Sequence, residues 1–214
     1  SIGGLMLAST ALVLMPWWVR NYQVTQQFVP TTLQVGASLY DGLNPAATGA
    51  SDMQFVLPMV RRQQAVEAES TGSLPGTFES RLDQRFRREA VSWAWQHPGR
   101  VWQLIGTKFV RMWNVWPNAD AGNNLLSRIV LPLSYLPLMA LAGFGLWQQR
   151  RGGWGTWLCV LPAVYFTLLH VIFVSSLRYR QPALLPLVVL AAAALGTWFL
   201  DKEVHDEQIC SAIS

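Results

Sequence analysis

Cysteine is nearly missing. The two present, Cys159 inside an apolar run and Cys210 in the polar tail, offer no disulfide framework, and neither has a metal-ligand partner nearby. Charge is scarce too, at 13% of residues against 51% hydrophobic, a balance that excludes an ordinary soluble domain. No Gly-rich phosphate loop, no His/Glu metal pair and no nucleophile elbow occurs, so no metal, no cofactor and no catalytic residue is assigned. The basic run Arg81 to Arg88 reads as a solvated or lipid-facing helix side and not as a nucleic-acid site. Internal repeats and low-complexity tracts are absent as well.

What is abundant is apolar sequence in long runs. Ile129 to Trp147, Trp154 to Val174 and Ala183 to Leu200 are each about 18 to 21 residues and free of formal charge, the length that crosses a bilayer as helix. The opening run, Ile2 to Pro16, is about 15 residues or roughly 22 Å of helix, short of the roughly 30 Å hydrocarbon core, so a truncated transmembrane helix is expected at 1–16. No basic segment precedes it and no small-residue cleavage site follows, which argues against a signal peptide. Four spans therefore result. Trp147, Trp154, Trp157, Trp198 and the Trp17–Trp18 pair stand at span ends, where amphipathic rings favour the interface. Pro132, Pro137, Pro162 and Pro186 inside the spans imply kinks and packing against neighbouring helices. The fold class is an all-α integral membrane protein with about four transmembrane helices and a mainly helical extracytoplasmic subdomain.

That subdomain is the polar section 17–128, too long for a simple connector. Leu82, Phe86, Ala90 and Trp93 recur at helical spacing and predict an amphipathic helix over Glu79 to Gln96. Pro98 suits the first turn of a second, Pro98 to Trp113, with the stripe Trp102, Ile105, Phe109 and Trp113. Both aromatic-faced helices are expected at the membrane surface. Val19 to Ala50, rich in Thr, Gly, Asn and Pro, reads as irregular, with a short strand around Phe28 to Val35. The three-helix region 129–200 and a polar cytoplasmic tail, 201–214, complete the division.

Sidedness is in tension with charge. Spans alternate, so 17–128 and the link Ser175 to Gln181 share one side with 13 Lys and Arg, against 3 on the side of Gln148 to Gly153 and the tail. The positive-inside tendency would put the basic side in the cytoplasm, although long loops translocate largely regardless of charge. Either the loop is cytoplasmic, or its arginines stay outside because they bind something anionic.

Three segments carry a family resemblance. PWWVRNYQVTQQFVPTT at Pro16 to Thr32 followed by LYDGLNPAATG at Leu39 to Gly49, then REAVSWAWQHPGRVWQLIGTKFVRMW at Arg88 to Trp113, then RYRQPALLPLVVLAA at Arg178 to Ala192, in this order with spans between, resemble GT-C membrane glycosyltransferases. These include bacterial relatives of dolichyl-phosphate-mannose protein mannosyltransferases and the lipid A aminoarabinose transferase. The resemblance covers nearly the whole chain and implies its C-terminal portion of such an enzyme. It implies a polyprenyl-phosphate-linked sugar donor, an acceptor that is protein, lipid or glycan, and a large loop outside a bacterial inner membrane. The missing N-terminal half of the same protein would then be a partner and would bring the carboxylate base that deprotonates the acceptor in an inverting displacement.

The candidate binding residues follow. Arg178 and Arg180 offer guanidinium forks for the donor lipid phosphate at headgroup level, with Tyr179 between them. Their plainer role is interfacial anchoring on membrane lipid. Arg20 and Asn21, after the Trp pair, have the same two readings. Asp41 and Asn44 suit sugar hydroxyls, and equally suit turn chemistry. His170 lies deep in a span, where an ionisable group suggests function, whereas a neutral histidine bonded to a neighbouring helix is the simpler outcome. His97, before Pro98, reads as a cap-region residue. Two functions of other classes stay open: a non-catalytic lipid-binding or partner module, since no base is identifiable, and a transporter fragment built on His170 and broken helices.

Overall fold

The computed structural model describes residues 2–70, 72, 74–116, 125–150 and 152–213, with side chains placed except at 127 and 199–213. Cys210 and Arg151 therefore lie outside the described side chains, and of the tail only backbone is described. The architecture is all-helical: no strand occurs among the described residues. The helices are α1 (Ile2–Thr25), α2 (Val35–Gly42), α3 (Val56–Ala68), α4 (Phe78–Gln96), α5 (Pro98–Trp113), α6 (Leu125–Gln148), α7 (Trp154–Ile172) and α8 (Gln181–Ile213). Short 3₁₀ turns at Met53–Phe55 and Leu177–Arg180 lead into α3 and α8. Among the described residues, four helices are long and apolar enough to cross a membrane: α1, α6, α7 and the apolar part of α8, as expected for a membrane protein. The chain divides into two compact units at 103/104, inside α5.

In the unit of residues 1–103, α1 does not stop at Pro16 but continues through it to Thr25. Proline costs one helical hydrogen bond and is accommodated in an apolar helix. Gln26 then takes a positive φ of 54° and its N–H donates to Tyr22 O, which turns the chain back. Residues 27–31 run back along the last turns of α1, and this is why the expected strand does not form. Their carbonyls accept from side chains of α1: Trp17 Nε1 to Thr31 O at 3.1 Å, Trp18 Nε1 to Pro30 O at 2.9 Å, Asn21 Nδ2 to Val29 O at 3.1 Å and Thr25 Oγ1 to Gln27 O at 3.0 Å. A chain segment whose acceptors are already satisfied has no ladder to build.

Helix α2 lies where irregular chain is expected, and it exists because α4 accepts it. Gly36 presses on α4, its N–H donating to Asp83 Oδ1 at 2.5 Å, and a Cβ there would come under 3.0 Å from Asp83. Tyr40, Phe55 and Phe86 form an aromatic triad with centroids 4.9 to 5.7 Å apart, joining α2, the first 3₁₀ turn and α4. Of the α4 stripe, Phe86 and Ala90 are buried and Leu82 and Trp93 half-buried. Thr77 caps α4, accepting from Ser80 N, and Pro98 opens α5 directly after His97 closes α4.

The unit of residues 104–214 is built on α8, against which α6 and α7 pack. Its core is mostly small: Ala142, Ala163, Ala183, Leu187, Leu190 and Ala191. Inside lipid, close backbone approach supplies the contact energy that hydrophobicity supplies in water. The expected α5 forms, and its aromatic stripe is not the face that the protein buries. Trp102 and Phe109 are exposed, at 72% and 49%, while the buried face is Leu104, Lys108 and Met112, one position round the helix. A pattern of aromatics marks an apolar face, yet it does not say whether protein or lipid covers it.

Candidate functional site

Arg20 and Asn21 sit on the α1 segment that clasps residues 27–31. Arg20 is exposed, with its guanidinium carbon 5.6 Å from the Trp17 ring centroid. Asn21 is 7% exposed and its amide is bound to Val29 O. Trp17, Trp18 and Asn21 are thus accounted for by the clasp, each closing one carbonyl, and Arg20 stands outside it.

Asp41 and Asn44 are also held internally. Asp41, 2% exposed, accepts from Ser51 Oγ at 2.7 Å and Asp52 N at 2.9 Å. Asn44 donates to Tyr40 O at 2.8 Å, and its oxygen accepts from Ala46 N at 2.7 Å in an Asx turn. Together they tie the end of α2 to the loop ahead of α3. Nearby, burial pushes the Tyr40 hydroxyl pKa up, helped by Glu89 and opposed by Arg62. His97 stacks on Trp93 and its Nδ1 lies 3.0 Å from Trp93 O, at the C-cap of α4.

The arginine pair ahead of α8 is brought into a richer setting. The 3₁₀ turn Leu177–Arg180 aims its two arginines differently: Arg178 is exposed and Arg180 is 4% exposed. Arg180 Nη1 donates to Asn114 O at 2.5 Å and Met112 O at 3.4 Å, capping the carbonyl end of α5. Its guanidinium carbon lies 3.9 Å over the Tyr135 ring centroid on α6. Tyr135 belongs to the apolar span Arg128–Gln148 and Arg180 to the apolar span Leu177–Trp198, so the buried cation stands where two apolar helices meet.

Around it the end of α7 closes in. Tyr179 stacks on His170 with centroids 4.3 Å apart and planes 6° from parallel, and the Arg178 guanidinium carbon is 5.2 Å from the Tyr179 ring. His170 Nδ1 lies 2.9 Å from Val174 O, so the histidine is anchored to its own chain end and serves as a platform for Tyr179. Lys108, fully buried, donates to Ile172 O at 2.8 Å, and Trp113 Nε1 donates to Thr167 Oγ1 at 3.1 Å. The Ser175 hydroxyl is buried without a hydrogen-bond partner among the described residues.

Cations, aromatic faces and main-chain oxygens thus meet at one end of the α6–α7–α8 group, and the described side chains of residues 104–198 include no Asp or Glu. Such a place attracts anions, and Arg178 is a cation of it open to solvent or lipid. Sequence reasoning missed Lys108 and Tyr135. Lys108 had a signal, since it interrupts the i, i+4, i+8 row Leu104, Lys108, Met112, but the aromatic row beside it is louder. Among the described residues no group of three or more His, Cys, Asp and Glu gathers to hold a metal. Comparison with protein-family models, with curated proteins and with solved structures finds no match for the chain.

Proposed function

We propose that this chain is the C-terminal part of a membrane glycosyltransferase that moves a sugar from a polyprenyl-phosphate donor to a protein, lipid or glycan acceptor at the outer face of a bacterial inner membrane. The observation that supports it best is the Arg178–Tyr179–Arg180 turn at the head of α8, with a buried and an exposed guanidinium and no carboxylate bonded to either among the described residues. Its chemical use is to receive the departing lipid phosphate. Arg180 stiffens the turn by gripping Asn114 O and Tyr135, and Arg178, propped on Tyr179, offers its donors outward. No residue here is assigned the role of catalytic base. The order of motifs at Pro16–Gly49, Arg88–Trp113 and Arg178–Ala192 adds the resemblance to GT-C enzymes.

The test is binding of a polyprenyl phosphate to the detergent-solubilised protein, followed by transfer assays on the full-length parent. Arg178→Ala is the decisive variant, because Arg178 is exposed and the fold does not lean on it. Selective loss of polyprenyl phosphate binding supports the reading; binding unaffected by Arg178→Ala overturns the assignment of this turn.

A further inference from the structure

A second polar cleft lies in the unit of residues 1–103, between α3 and α4, with a volume of about 470 Å³. Its polar lining is amide and guanidinium: Gln27 from the segment after α1, Gln63 from α3, and Gln84, Arg85 and Arg88 from α4. Val66 and Pro75 contribute apolar surface. On α4 the spacing 81, 84/85, 88 puts these side chains on one helical face.

The hydrogen bonds separate scaffold from available donors. Arg81 is committed on every side: Nε and Nη2 to Glu67 at 2.8 and 2.6 Å, and Nη1 to Pro75 O and Gly76 O at 3.2 and 2.7 Å. That clamp ties α3 and the loop before α4 to α4. Gly76, at φ 73°, lets the loop pass tightly, since a Cβ there would come 2.8 Å from Ser80 Oγ and 3.0 Å from Gln27 Nε2. Arg85 is half-committed, with Nε on Glu89 at 2.8 Å and Nη1 on Gln63 Oε1 at 3.0 Å. Arg88 makes one long bond, Nη2 to Gln84 Oε1 at 3.5 Å, and Gln84 Nε2 passes on to Gln27 Oε1 at 3.1 Å. Glu67 and Glu89 are each engaged by an arginine, so Arg88 is the surplus charge of the cleft, and Arg85 Nη2 with Arg88 Nε and Nη1 donates to nothing among the described residues.

We infer that this cleft is a binding site for an acidic sugar, a hexose-sized polyol carrying one oxyanion, either a phosphate or a carboxylate. A guanidinium pairs with the oxyanion through two parallel N–H groups. Gln27 Nε2, which donates to nothing among the described residues, can meet a sugar hydroxyl, and Val66 with Pro75 provides a surface for the ring's C–H face. The volume is that of an ordinary small-ligand site. Gln63 is engaged on both sides, by Arg85 and on Glu67, so the open donors of the cleft are Arg85 Nη2 and Arg88 Nε and Nη1, beside the apolar surface of Val66 and Pro75. The site is separate from the Arg178 turn and stands whether or not the chain takes part in sugar transfer.

The experiment is calorimetric titration of the whole detergent-solubilised chain with glucose 1-phosphate and with glucuronate, against glucose and inorganic phosphate. Saturable binding of an acidic sugar, tighter than glucose and tighter than phosphate, is expected, and the better of the two acids identifies the oxyanion. Arg88→Ala should weaken it about tenfold, the loss of one charge-assisted pair. Gln84→Ala should weaken it less. Arg88 and Gln84 are exposed, so both variants fold, with circular dichroism as the check. Failure of both acids to bind, phosphate binding as well as they do, or indifference to Arg88→Ala overturns the inference.

Discussion

Gly145 on α6 rests against the main-chain carbonyl of Leu190 on α8, so closely that a Cβ would come under 3.0 Å from it. Gly143, two residues earlier, has nothing within 4 Å of its missing Cβ. Gly145→Val should therefore separate α6 from α8 at a cost of about 1–3 kcal/mol, the usual range for overpacking, whereas Gly143→Ala should be close to neutral. Thermal unfolding in detergent, read by tryptophan fluorescence, separates the two; equal melting temperatures would remove α6–α8 contact as the organising feature of this unit.

The Arg180–Tyr135 stack predicts a graded series. Tyr135→Phe keeps the ring face and should lower stability little, while Tyr135→Leu removes it and should cost about 1–2 kcal/mol for a desolvated cation–π contact. Arg180→Ala should be worse than either, since it also frees the carbonyls of Met112 and Asn114. Melting temperatures that rank Tyr135→Leu with wild type would dismiss the ring as a support for Arg180.

Asp41 is a structural acceptor in this geometry. Asp41→Ala leaves the Ser51 hydroxyl and the Asp52 N–H without their acceptor and should destabilise residues 1–103 by about 1–3 kcal/mol. Limited proteolysis between α2 and α3 is the readout, and faster cleavage is expected. Resistance equal to wild type, combined with lost sugar binding, would return Asp41 to the ligand-contacting class.

The clasp on α1 makes a parallel case. Asn21→Ala and Trp18→Phe each remove one donor to residues 27–31, and the double variant should expose that segment to protease more than either alone. Arg20→Ala, outside the hydrogen-bond row, should not.

Glu67 gives the pH dependence. Its bonds from Arg81, then from Gln63, hold the carboxyl at about 2, below the usual 4.5. A carboxyl whose folded pKa is depressed contributes stability above its unfolded value and loses it as pH falls through the folded one. The α3–α4 clamp should thus weaken progressively from about pH 4.5 towards pH 2, and Glu67→Gln should flatten that part of the profile while lowering stability at neutral pH. An unaltered acid profile in Glu67→Gln would assign the acid transition to other carboxylates.

How much of this is written in the chain alone differs by feature, for reasons of range. Apolar runs, interfacial tryptophans, the period of Leu82–Phe86–Ala90 and the Pro98 boundary are local properties, and they determine a helical membrane protein with four spans and with α4, α5, α6 and α7 near their observed limits. The partner of a helix face is not local. Only the folded arrangement turned α5 to bury Leu104, Lys108 and Met112 rather than Trp102 and Phe109. Only it ran α1 past Pro16 and satisfied the carbonyls of Gln27, Val29, Pro30 and Thr31 with side chains from a helix up to 14 residues away. The same holds for the arginines. Arg81, Arg85 and Arg88 look alike on a helical wheel, and Arg178 and Arg180 are two residues apart, yet in each group one is locked and another left open. Charge is a property of the residue, but availability is a property of its neighbours, and those are brought together by contacts between elements far apart in sequence.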